Sequence, residues 1–523
     1  MSARTSDSVL IGLDAGTSVI KAVAFDGDGS QIGMASRRNT YNSLPDGGAE
    51  QDMTRTFEDA AAVLKALADE VPGLARRAVG LGITGQGDGT WLIDEGGAPV
   101  HDGWLWLDAR AADEARAIAT GPGHRLIYET TATGVNISQM RCQLRHMIRH
   151  MPDLVAKART AFHCKDWIYY RLTGVLATDP TEGVFTFGDC RTRAYSDEVI
   201  EALGLADHRH LMPPIVDGAV TAHGLTRDAA DATGLPEDLP VSLGYVDIMC
   251  TALGAGLHDR AANPGLTVLG STGMHMRFVP SADDIVLNDD ASGYTMAFPD
   301  AAYAQMQTNM AATINIDWVL GVACEILASQ GVSRTRADLL DGLDDHVLAA
   351  RPGAALYHPY ILQAGERGPF AEPAARASFT GLDQTAGWFD LVRAVFDGLV
   401  LAGRDCYQAM GAIPDEIRIS GGAARSGALK RLLAAALNRP VRGVAREEAG
   451  AAGAAMIAAV QLGHFADTDT ASAAWVTPLL RDPVLPDTGL VSTYDHLFEG
   501  YLATRQALPP IWQAQAAMRE ALS

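Results

Sequence analysis

Near the start of the chain lies Leu13-Asp14-Ala15-Gly16-Thr17-Ser18, a stretch that ends the apolar run from Val9 to Leu13. A second apolar run follows at Val19 to Phe25, and Asp26-Gly27-Asp28-Gly29 supplies a turn into a third extended run at Gln31-Ile32-Gly33-Met34. This order predicts a hairpin followed by a third strand, and not a strand that feeds a helix. Amides and hydroxyls in such a turn can wrap a phosphate, while Asp14 can hold a hydrated Mg²⁺. A plain hairpin turn has the same composition, so the function depends on further motifs.

The size and charge of the chain limit the classes of protein to which it can belong. With 523 residues it exceeds what one hydrophobic core usually organises, which predicts two domains with a binding cleft between them. Hydrophobic residues make up 48% of the chain and charged residues 20%, an ordinary globular composition. The formal net charge of −22 argues against nucleic acid and acidic membranes as partners.

The cysteines and the apolar segments predict a reduced, cytoplasmic protein. None of the six cysteines has the CxxC spacing of a metal or redox motif, and no basic segment followed by an apolar segment opens the chain. The longest apolar stretch, from Ala451 to Val460, is too short and too rich in alanine to cross a bilayer.

Alternating helical and extended patterns place the chain in the α/β class. From Thr54 to Val71 apolar residues recur at helical period, with Thr54 and Thr56 available as caps. Buried strands are predicted from Ala78 to Thr84 and from Trp91 to Asp94. A second turn of glycine and hydroxyl residues, Gly270-Ser271-Thr272-Gly273, follows another apolar run. Two such turns, one in each half, indicate a duplicated architecture.

Two other motifs fail on inspection. The run Gly85-Gln86-Gly87-Asp88-Gly89 is not a dinucleotide fingerprint, because its third glycine is misplaced and a strand follows it. His146 and His150 have the spacing of a helical metal pair, but Met147 stands where a zinc protease needs a glutamate. Because neighbouring arginines would also repel a cation, the two histidines are predicted to lie on a solvated helix.

Four segments taken together are more specific than any one of them. They are the Asp14 turn, Gly85-Gln86-Gly87-Asp88 with Trp104 to Arg110, Gly244-Tyr245-Val246-Asp247 followed by a small-residue helix, and Ser420 to Ser426 followed by Glu447 to Gly453. In this order and spacing they resemble the FGGY carbohydrate kinase family of the actin-like ATPase superfamily. Gly365-Glu366-Arg367-Gly368-Pro369 adds a loop typical of that family, and the resemblance extends to about residue 460.

The resemblance implies two actin-like, ribonuclease H-like α/β ATPase domains with a cleft between them. Residues 1–257 would bind the sugar or polyol and contribute the first phosphate turn, and residues 258–523 would bind the nucleotide. A homodimer stays open as the assembly.

The activity that the resemblance implies is transfer of phosphate from ATP, with Mg²⁺, to a terminal hydroxyl of a small polyol. Asp247 matches the family's catalytic base, since phosphoryl transfer to an alcohol needs a carboxylate near the attacking hydroxyl. The alternative for Asp247 is an aspartate that caps the following helix. Asp14 and Asp247 are the implied metal ligands. The implied ATP-binding residues, several of which let adenosine approach the backbone, are Thr17, Ser18, Lys21, Gly270, Ser271, Thr272, Gly273, Gly421, Gly422, Ala423 and Ser426.

The substrate is inferred from Gly87-Asp88, where xylulose kinases of the family typically carry Met-His. A carboxylate accepts hydrogen bonds from neighbouring hydroxyls but cannot donate one to a carbonyl oxygen, so Asp88 favours a polyol. The stretches Thr84 to Asp94 and Ala161 to Asp189 are most similar to members of the family that phosphorylate erythritol. The implied substrate-binding residues are Gln86, Gly87, Asp88, Trp106, Asp108, Tyr245 and Asp247.

Three points stay open at the level of sequence. Asp108 could equally form a structural ion pair with Arg110. The substrate could be a pentulose or a pentitol, as in xylulose, ribulose or ribitol kinases. An actin-like ATPase without transfer to a small molecule is the alternative from another class of protein.

Overall fold

Two six-stranded sheets form the frame of the computed structural model, which describes residues 7–522. Numbered in chain order, the strands are β1 (Val9–Ala15), β2 (Val19–Phe25), β3 (Gln31–Arg38), β4 (Asn42–Ser43), β5 (Ala49–Gln51), β6 (Ala78–Gly85), β7 (Trp91–Ile93), β8 (Gly103–Trp104), β9 (Thr160–Phe162), β10 (Gly188–Asp189), β11 (Ala194–Tyr195), β12 (Ala222–Gly224), β13 (Pro240–Leu243), β14 (Pro264–Leu269), β15 (Gly273–Val279), β16 (Tyr294–Ala297), β17 (Tyr303–Asn309), β18 (Leu356–His358), β19 (Ser378–Thr380), β20 (Glu416–Ser420) and β21 (Val441–Gly443).

The α-helices lie between these strands and after the last of them. They are α1 (Met53–Glu70), α2 (Leu74–Arg77), α3 (Ala112–Thr120), α4 (His124–Thr131), α5 (Met140–His150), α6 (Pro152–Val155), α7 (Cys164–Thr173), α8 (Pro180–Phe187), α9 (Asp197–Ala202), α10 (Arg227–Thr233), α11 (Asp247–Gly254), α12 (Thr313–Ser329), α13 (Arg336–Leu340), α14 (Leu343–Ala349), α15 (Trp388–Ala409), α16 (Gly427–Leu437), α17 (Ala449–Gln461), α18 (Thr468–Trp475), α19 (Thr488–Ala507) and α20 (Pro509–Leu522).

The two sheets repeat one plan of connections. In the first, β1, β2 and β3 run antiparallel in succession, and β6 and β13 add to β1 in parallel. In the second, β14, β15 and β17 form the antiparallel series, and β20 and β21 add to β14 in parallel. The strands β12 and β16 complete the two sheets at their edges. This repetition confirms the duplicated architecture that the two glycine and hydroxyl turns indicated.

The local predictions at the start of the chain are confirmed, with one correction at a helix cap. The strands β1, β2 and β3 fall on the predicted runs, and α1 covers most of the predicted helix. Its cap is Asp52, whose side chain accepts a hydrogen bond from the Arg55 amide at 2.9 Å, and not Thr54 or Thr56. The Thr56 hydroxyl donates instead to the Asp52 carbonyl at 2.8 Å, because it lies one turn inside the helix.

The alanine- and glycine-rich helix α17 follows the second sheet but packs on the first. A Cβ on Gly12 of β1 would lie 1.9 Å from the Ala451 carbonyl oxygen, and one on Gly82 of β6 would lie 1.9 Å from the Ala454 oxygen. On its other side, Gly453 leaves the same kind of space for the backbone of α11. Only residues without a side chain allow three backbones to approach so closely, which explains the composition of this segment. The predicted division at residue 257 stays a prediction.

Apolar side chains form three main layers of core. Helices α1, α7 and α10 pack on one face of the first sheet, α11 and α17 pack between the two sheets, and α12, α15, α16 and α19 pack on the far face of the second sheet. Over residues 7–522, no helix combines the length and the apolar character needed to span a membrane.

Candidate active site

A cavity of about 380 Å³ is lined by residues from both halves of the chain. From the first half come the loops after β1, β6 and β13, neighbouring parallel strands whose carboxyl ends meet at one edge of the sheet. From the second half come the turn after β14 and side chains of β15, β16 and β17. Of the predicted residues, the cavity brings together Thr17, Gly87, Asp88, Trp106, Asp247 and Thr272.

Asp247 is the first residue of α11 and lines the cavity. The Ile248 amide donates to Asp247 Oδ1 at 2.6 Å, so the carboxylate stabilises the start of its helix as well as facing the cavity. Burial raises the pKa of Asp247 to about 8, and the negative charge of Asp14 adds to this rise. A carboxylate with a high pKa accepts a proton readily once it is ionised, as a general base requires.

Asp14 lies near the end of β1, opposite Lys21 of β2 in the sheet register. Burial raises the pKa of Asp14 to about 6, although the charge of Lys21 opposes the rise, and Glu448 reinforces it. Lys21, a predicted ATP-binding residue, donates from Nζ to Glu448 Oε2 at 2.8 Å. Because Glu448 immediately precedes α17, this ion pair ties the first hairpin to the helix between the sheets.

The turn after β1 is held by side chains that meet at Thr17. Its hydroxyl donates to Gln86 Oε1 at 2.8 Å and accepts from Trp106 Nε1 at 2.9 Å. Gln86 is buried, and its Nε2 donates to Gln51 Oε1 at 2.7 Å, so this predicted substrate residue braces the turn and does not line the cavity. Trp106 lines the cavity although it is 47% exposed, and Ser18 is exposed next to Thr17.

Asp88 lines the cavity and has one carboxyl oxygen without a hydrogen-bond partner among residues 7–522. Its Oδ2 accepts from the Ser138 hydroxyl at 2.9 Å, whereas Oδ1 is buried and has no hydrogen-bond partner among residues 7–522. The backbone of Asp88 is in the left-handed region, with φ of 54°. Burial raises the pKa of Asp88, while the hydrogen bond from Ser138 and the charge of His163 oppose the rise.

Behind Asp88 lies a buried network of charged side chains that the sequence analysis did not identify. Lys165 Nζ lies 2.6 Å from both Asp166 Oδ1 and Asp179 Oδ1. His163 Nδ1 lies 3.1 Å from Asp166 Oδ2, and its Nε2 lies 3.4 Å from Glu182 Oε2. Glu182 also lines the cavity, and burial raises the pKa of its carboxyl to about 7.

Two predicted substrate residues point away from the cavity. Asp108 is fully buried, accepts from the Ala49 amide at 2.8 Å and pairs with Arg110 Nη2 at 2.6 Å, which corresponds to the structural alternative for this residue. The Tyr245 hydroxyl donates to Asp217 Oδ1 at 2.9 Å, and the Tyr245 carbonyl accepts from the Thr84 hydroxyl at 2.6 Å. Neither residue lines the cavity, because both side chains are used in packing the first half.

The turn after β14 is fixed through its backbone. The Gly270 amide donates to the Thr272 carbonyl at 3.0 Å, and the Ala312 amide donates to the Ser271 carbonyl at 2.7 Å. Ser271 and Thr272 are exposed, Thr272 lines the cavity, and Gly273 begins β15. The turn therefore offers hydroxyls and amides at the edge of the cavity, as the phosphate prediction requires.

The segment after β20 approaches the same turn from outside the cavity. Gly421 has φ of 87°, and a Cβ on it would lie 2.6 Å from the Leu269 carbonyl oxygen at the end of β14. A Cβ on Gly422 would meet open space in the part of the chain that the structure describes, and Ala423 is buried. The Ser426 hydroxyl caps α16 by accepting from the Leu429 amide at 3.0 Å, and it donates to Asp344 Oδ1 at 2.7 Å.

A hydrogen bond across the cavity joins its two halves. Arg367, in the loop predicted as typical of the family, donates from Nη1 to Asn136 Oδ1 at 3.1 Å. Asn136 Nδ2 in turn donates to the hydroxyl of Tyr294, on β16, at 2.8 Å. All three residues line the cavity, and none of them was predicted as a site residue.

Local signals for the missed residues were weak. Asp179-Pro180 indicates a helix start, since aspartate caps helices and proline favours the first turn, and Glu182 falls in that turn. This pattern locates a helix but says nothing about which loop the glutamate contacts. Ser138 and His163 carry no comparable local pattern.

The comparisons with known proteins cover both halves of the chain. The model of the FGGY family of carbohydrate kinases, N-terminal domain, matches residues 9–254, and that of the C-terminal domain matches residues 265–462. The chain is 51% identical to an erythritol kinase of Brucella abortus (strain 2308) over 98% of this chain and 99% of that protein. It is 26% identical to a xylulose kinase of Staphylococcus epidermidis (strain ATCC 12228 / FDA PCI 1200) over 95% of this chain and 97% of that protein.

Solved structures share the two-domain α/β fold. A xylulose kinase from Rhodospirillum rubrum superposes with a TM-score of 0.86 at 26% identity, over 97% of this chain and all of that one. A glycerol kinase from Plasmodium falciparum with ADP superposes with a TM-score of 0.81 at 15% identity, over 95% of this chain and 98% of that one, which shows the fold alone. The matches confirm the resemblance and the fold class that the four segments indicated.

Proposed function

Because the chain belongs to the FGGY family of carbohydrate kinases, we propose that it transfers phosphate from ATP to a terminal hydroxyl of erythritol. The kinase activity and ATP as its phosphoryl donor follow from the family. The choice of erythritol is the finer step, and the 51% identity to the Brucella abortus protein supports it.

The observation that carries the choice of a polyol is the unpartnered Oδ1 of Asp88. A buried acceptor without a donor is costly, and a bound ligand that donates a hydroxyl would satisfy it. A polyol offers a donor on every carbon, whereas a ketose offers a carbonyl oxygen that a carboxylate cannot bind. Apolar residues on the other wall, such as Phe185 and Met306, suit the carbon chain of the substrate.

Asp247 is proposed as the base of the reaction. Its carboxylate takes the proton of the substrate hydroxyl, the hydroxyl oxygen attacks the γ-phosphorus of ATP, and ADP leaves. The raised pKa of Asp247 suits it to hold that proton during transfer. Thr17, Ser18, Lys21, the Gly270–Gly273 turn, Gly421, Gly422, Ala423 and Ser426 are proposed to contact the nucleotide.

Asp14 and Asp247 are the proposed ligands of Mg²⁺. Among charged groups, Asp14 contributes most to the raised pKa of Asp247, so these buried carboxylates repel each other without a cation between them. Proteins usually hold Mg²⁺ with one or two carboxylates together with substrate phosphates, and these two aspartates would supply the carboxylates. When bound, the ion neutralises charge on the transferred phosphate.

Location and assembly complete the proposal. A cytoplasmic location is supported by six cysteines that all remain free thiols and by a phosphoryl donor that the cytoplasm supplies. The cavity is lined by residues from both halves of the chain, and a homodimer stays open as the assembly.

A substrate panel tests the proposal directly. The purified protein is supplied with ATP, Mg²⁺ and one acceptor at a time from tetritols, pentitols and ketopentoses, and ADP release is followed by a coupled assay. Erythritol should give the highest kcat/KM. A higher value for xylulose would replace the proposal by a pentulose kinase. Equal ADP release with and without any acceptor would point to an ATPase that does not transfer phosphate to a small molecule.

A further inference from the structure

The first turn of α8 lies between the loop that carries Asp88 and the segment that leads to Asp247. Asp179 caps the helix and pairs with Lys165 at 2.6 Å. The next hydroxyl, Thr181 Oγ1, accepts from the Val246 amide at 3.1 Å, directly before Asp247. Glu182 Oε1 accepts from the Asp88 amide at 3.1 Å. Thr181 and Glu182, neighbours in one helical turn, therefore bond the segment before Asp247 and the loop that carries Asp88.

The loop of Asp88 is shaped around Glu182. A Cβ on Gly87 would lie 2.7 Å from Glu182 Oε1 and 2.3 Å from Val246 Cγ2, so glycine leaves the space that the glutamate fills. Asp88 has a positive φ, which costs free energy for a residue with a side chain and persists only where neighbours hold it. The hydrogen bond from the Asp88 amide to Glu182 holds the backbone in this conformation, and the hydrogen bond from Ser138 holds the side chain.

Glu182 is itself held from behind. His163 lies between two carboxylates, with Nε2 at 3.4 Å from Glu182 Oε2 and Nδ1 at 3.1 Å from Asp166 Oδ2. Burial alone would lower the pKa of His163, but the charges of Glu182 and Asp166 raise it above its usual value. A histidine that can carry charge between two buried acids fixes the position of both.

We propose that Glu182 is the positioning residue of the polyol site: through its bond to the Asp88 amide, it holds the Gly87-Asp88 loop so that the Asp88 carboxyl lies at the wall of the cavity. The inference rests on the proposed function for the identity of the polyol, but not for the geometry of the loop. Loss of Glu182 should release the loop and weaken the polyol while leaving the nucleotide contacts, which lie in other segments, unchanged.

The chain offers a matched set of variants for the test. Glu182→Ala removes the acceptor, whereas Glu182→Gln keeps a side-chain oxygen that can accept from the Asp88 amide. Glu114→Gln is the control, because Glu114 is another buried glutamate, paired with Arg145 at 3.0 Å and absent from the cavity. Comparable melting temperatures of the three variants show that each is folded.

The kinetic readout separates positioning from a structural role. Glu182→Ala should raise the KM for erythritol roughly 10- to 100-fold and leave the KM for ATP within about twofold. Glu182→Gln should recover most of the loss, and Glu114→Gln should match the wild type. Equal damage to both KM values and to kcat by Glu182→Ala, without recovery in Glu182→Gln, would overturn the positioning role.

A second readout needs no substrate. Hydrogen exchange followed by mass spectrometry should show faster exchange in the peptide that covers Thr84 to Asp94 in Glu182→Ala, and unchanged exchange there in Glu114→Gln. Unchanged exchange in Glu182→Ala would overturn the inference whatever the enzyme phosphorylates. If the wild type does not phosphorylate erythritol but this peptide exchanges faster in Glu182→Ala as expected, the proposed function is wrong and the role of Glu182 stands.

Discussion

The proposed polyol side of the cleft is held by side-chain contacts, whereas the proposed nucleotide side is held by backbone contacts. On the polyol side, two buried side chains hold Asp88 over long sequence distances: the Ser138 hydroxyl donates to Asp88 Oδ2, and Glu182 Oε1 accepts from the Asp88 amide. On the nucleotide side, the turns Gly270–Gly273 and Gly421–Ala423 are shaped by backbone hydrogen bonds and by close backbone approach. The two proposed sites therefore differ in kind: selectivity for the acceptor would depend on individual side chains, whereas binding of the donor would depend on the path of the main chain.

The largest effect is expected where the two sides meet, at Asp247. Asp247→Asn keeps the size of the side chain but removes the carboxylate that accepts the hydroxyl proton. We expect kcat to fall about 10²- to 10⁴-fold, measured by coupled ADP release. The dissociation constant of ATP, measured by calorimetry, should hardly change. Turnover above a tenth of the wild-type value would show that another group takes the proton.

The next effect tests whether the polyol side works through single side chains. Asp88→Ala leaves substrate hydroxyls without an acceptor in a closed cleft, at a cost of roughly 1–3 kcal/mol. The kcat/KM for erythritol should fall about 10- to 100-fold, with the KM for ATP unchanged. Domain closure links the two parameters, because a poorly held substrate also closes the cleft less often and so lowers kcat.

The comparison of substrates decides the meaning of that result. The wild type should prefer erythritol over xylulose, and Asp88→Ala should reduce this preference. If the variant loses both substrates equally, Asp88 supports the site without selecting the polyol, and the contrast between the two sides is weaker than the structure indicates.

A smaller effect is expected from a change of the main chain on the nucleotide side. Gly421→Ala places a Cβ 2.6 Å from the Leu269 carbonyl oxygen at a φ of 87°, so the segment must shift. The KM for ATP should rise about 3- to 10-fold, as a loss of roughly 1 kcal/mol predicts, and the KM for erythritol should stay constant. Gly422→Ala is the matched control, because a Cβ there meets open space among the described residues. An equal rise in the KM for ATP in the two variants would show that the backbone at Gly421 has no particular role in nucleotide binding.

The same contrast explains how far the sequence could be interpreted. Asp14 lies near the end of a strand, and the turn after β14 and Asp247 each follow a strand within a few residues. Such local patterns can be recognised in the sequence without knowledge of the tertiary structure. They predicted the repeated sheets and part of the cavity lining, such as Thr17, Asp247 and Thr272. The polyol side depends on contacts that are distant in sequence, such as Glu182 with Asp88 across 94 positions, and no local pattern encodes them.

Residues that were assigned to the substrate but lie elsewhere follow the same physical rule. Tyr245 is adjacent in sequence to Val246, which lines the cavity, yet its hydroxyl bonds Asp217 because its side chain points to the other side of the backbone. Gln86 likewise turns to Gln51. Neighbours in an extended segment face opposite directions, so proximity in sequence does not predict a shared site.

The last effect concerns stability instead of kinetics, and it follows from the buried carboxylate of Asp247, where the two sides meet. The pKa of Asp247 rises from its ordinary value of 3.8 to about 8 in the folded protein, mainly because of burial. Between those two values the folded state binds more protons than the unfolded state. The free energy of unfolding contributed by this group is therefore fully present below pH 3.8 and is lost as the pH rises through about 8.

Asp247→Asn isolates this contribution, because the amide stays neutral at every pH and resembles the protonated acid. Without metal and ligands, the variant should melt above the wild type at pH 8 by about 2 °C or more, and the difference should shrink toward pH 5. Groups that do not interact with Asp247 titrate in the same way in both proteins and cancel in the difference. Gly422→Ala, which changes no titratable group, should show no difference that varies with pH. A difference in melting temperature between Asp247→Asn and the wild type that is constant from pH 5 to pH 8 would mean that the Asp247 carboxyl of the wild type does not titrate in this range. Burial would then not raise its pKa.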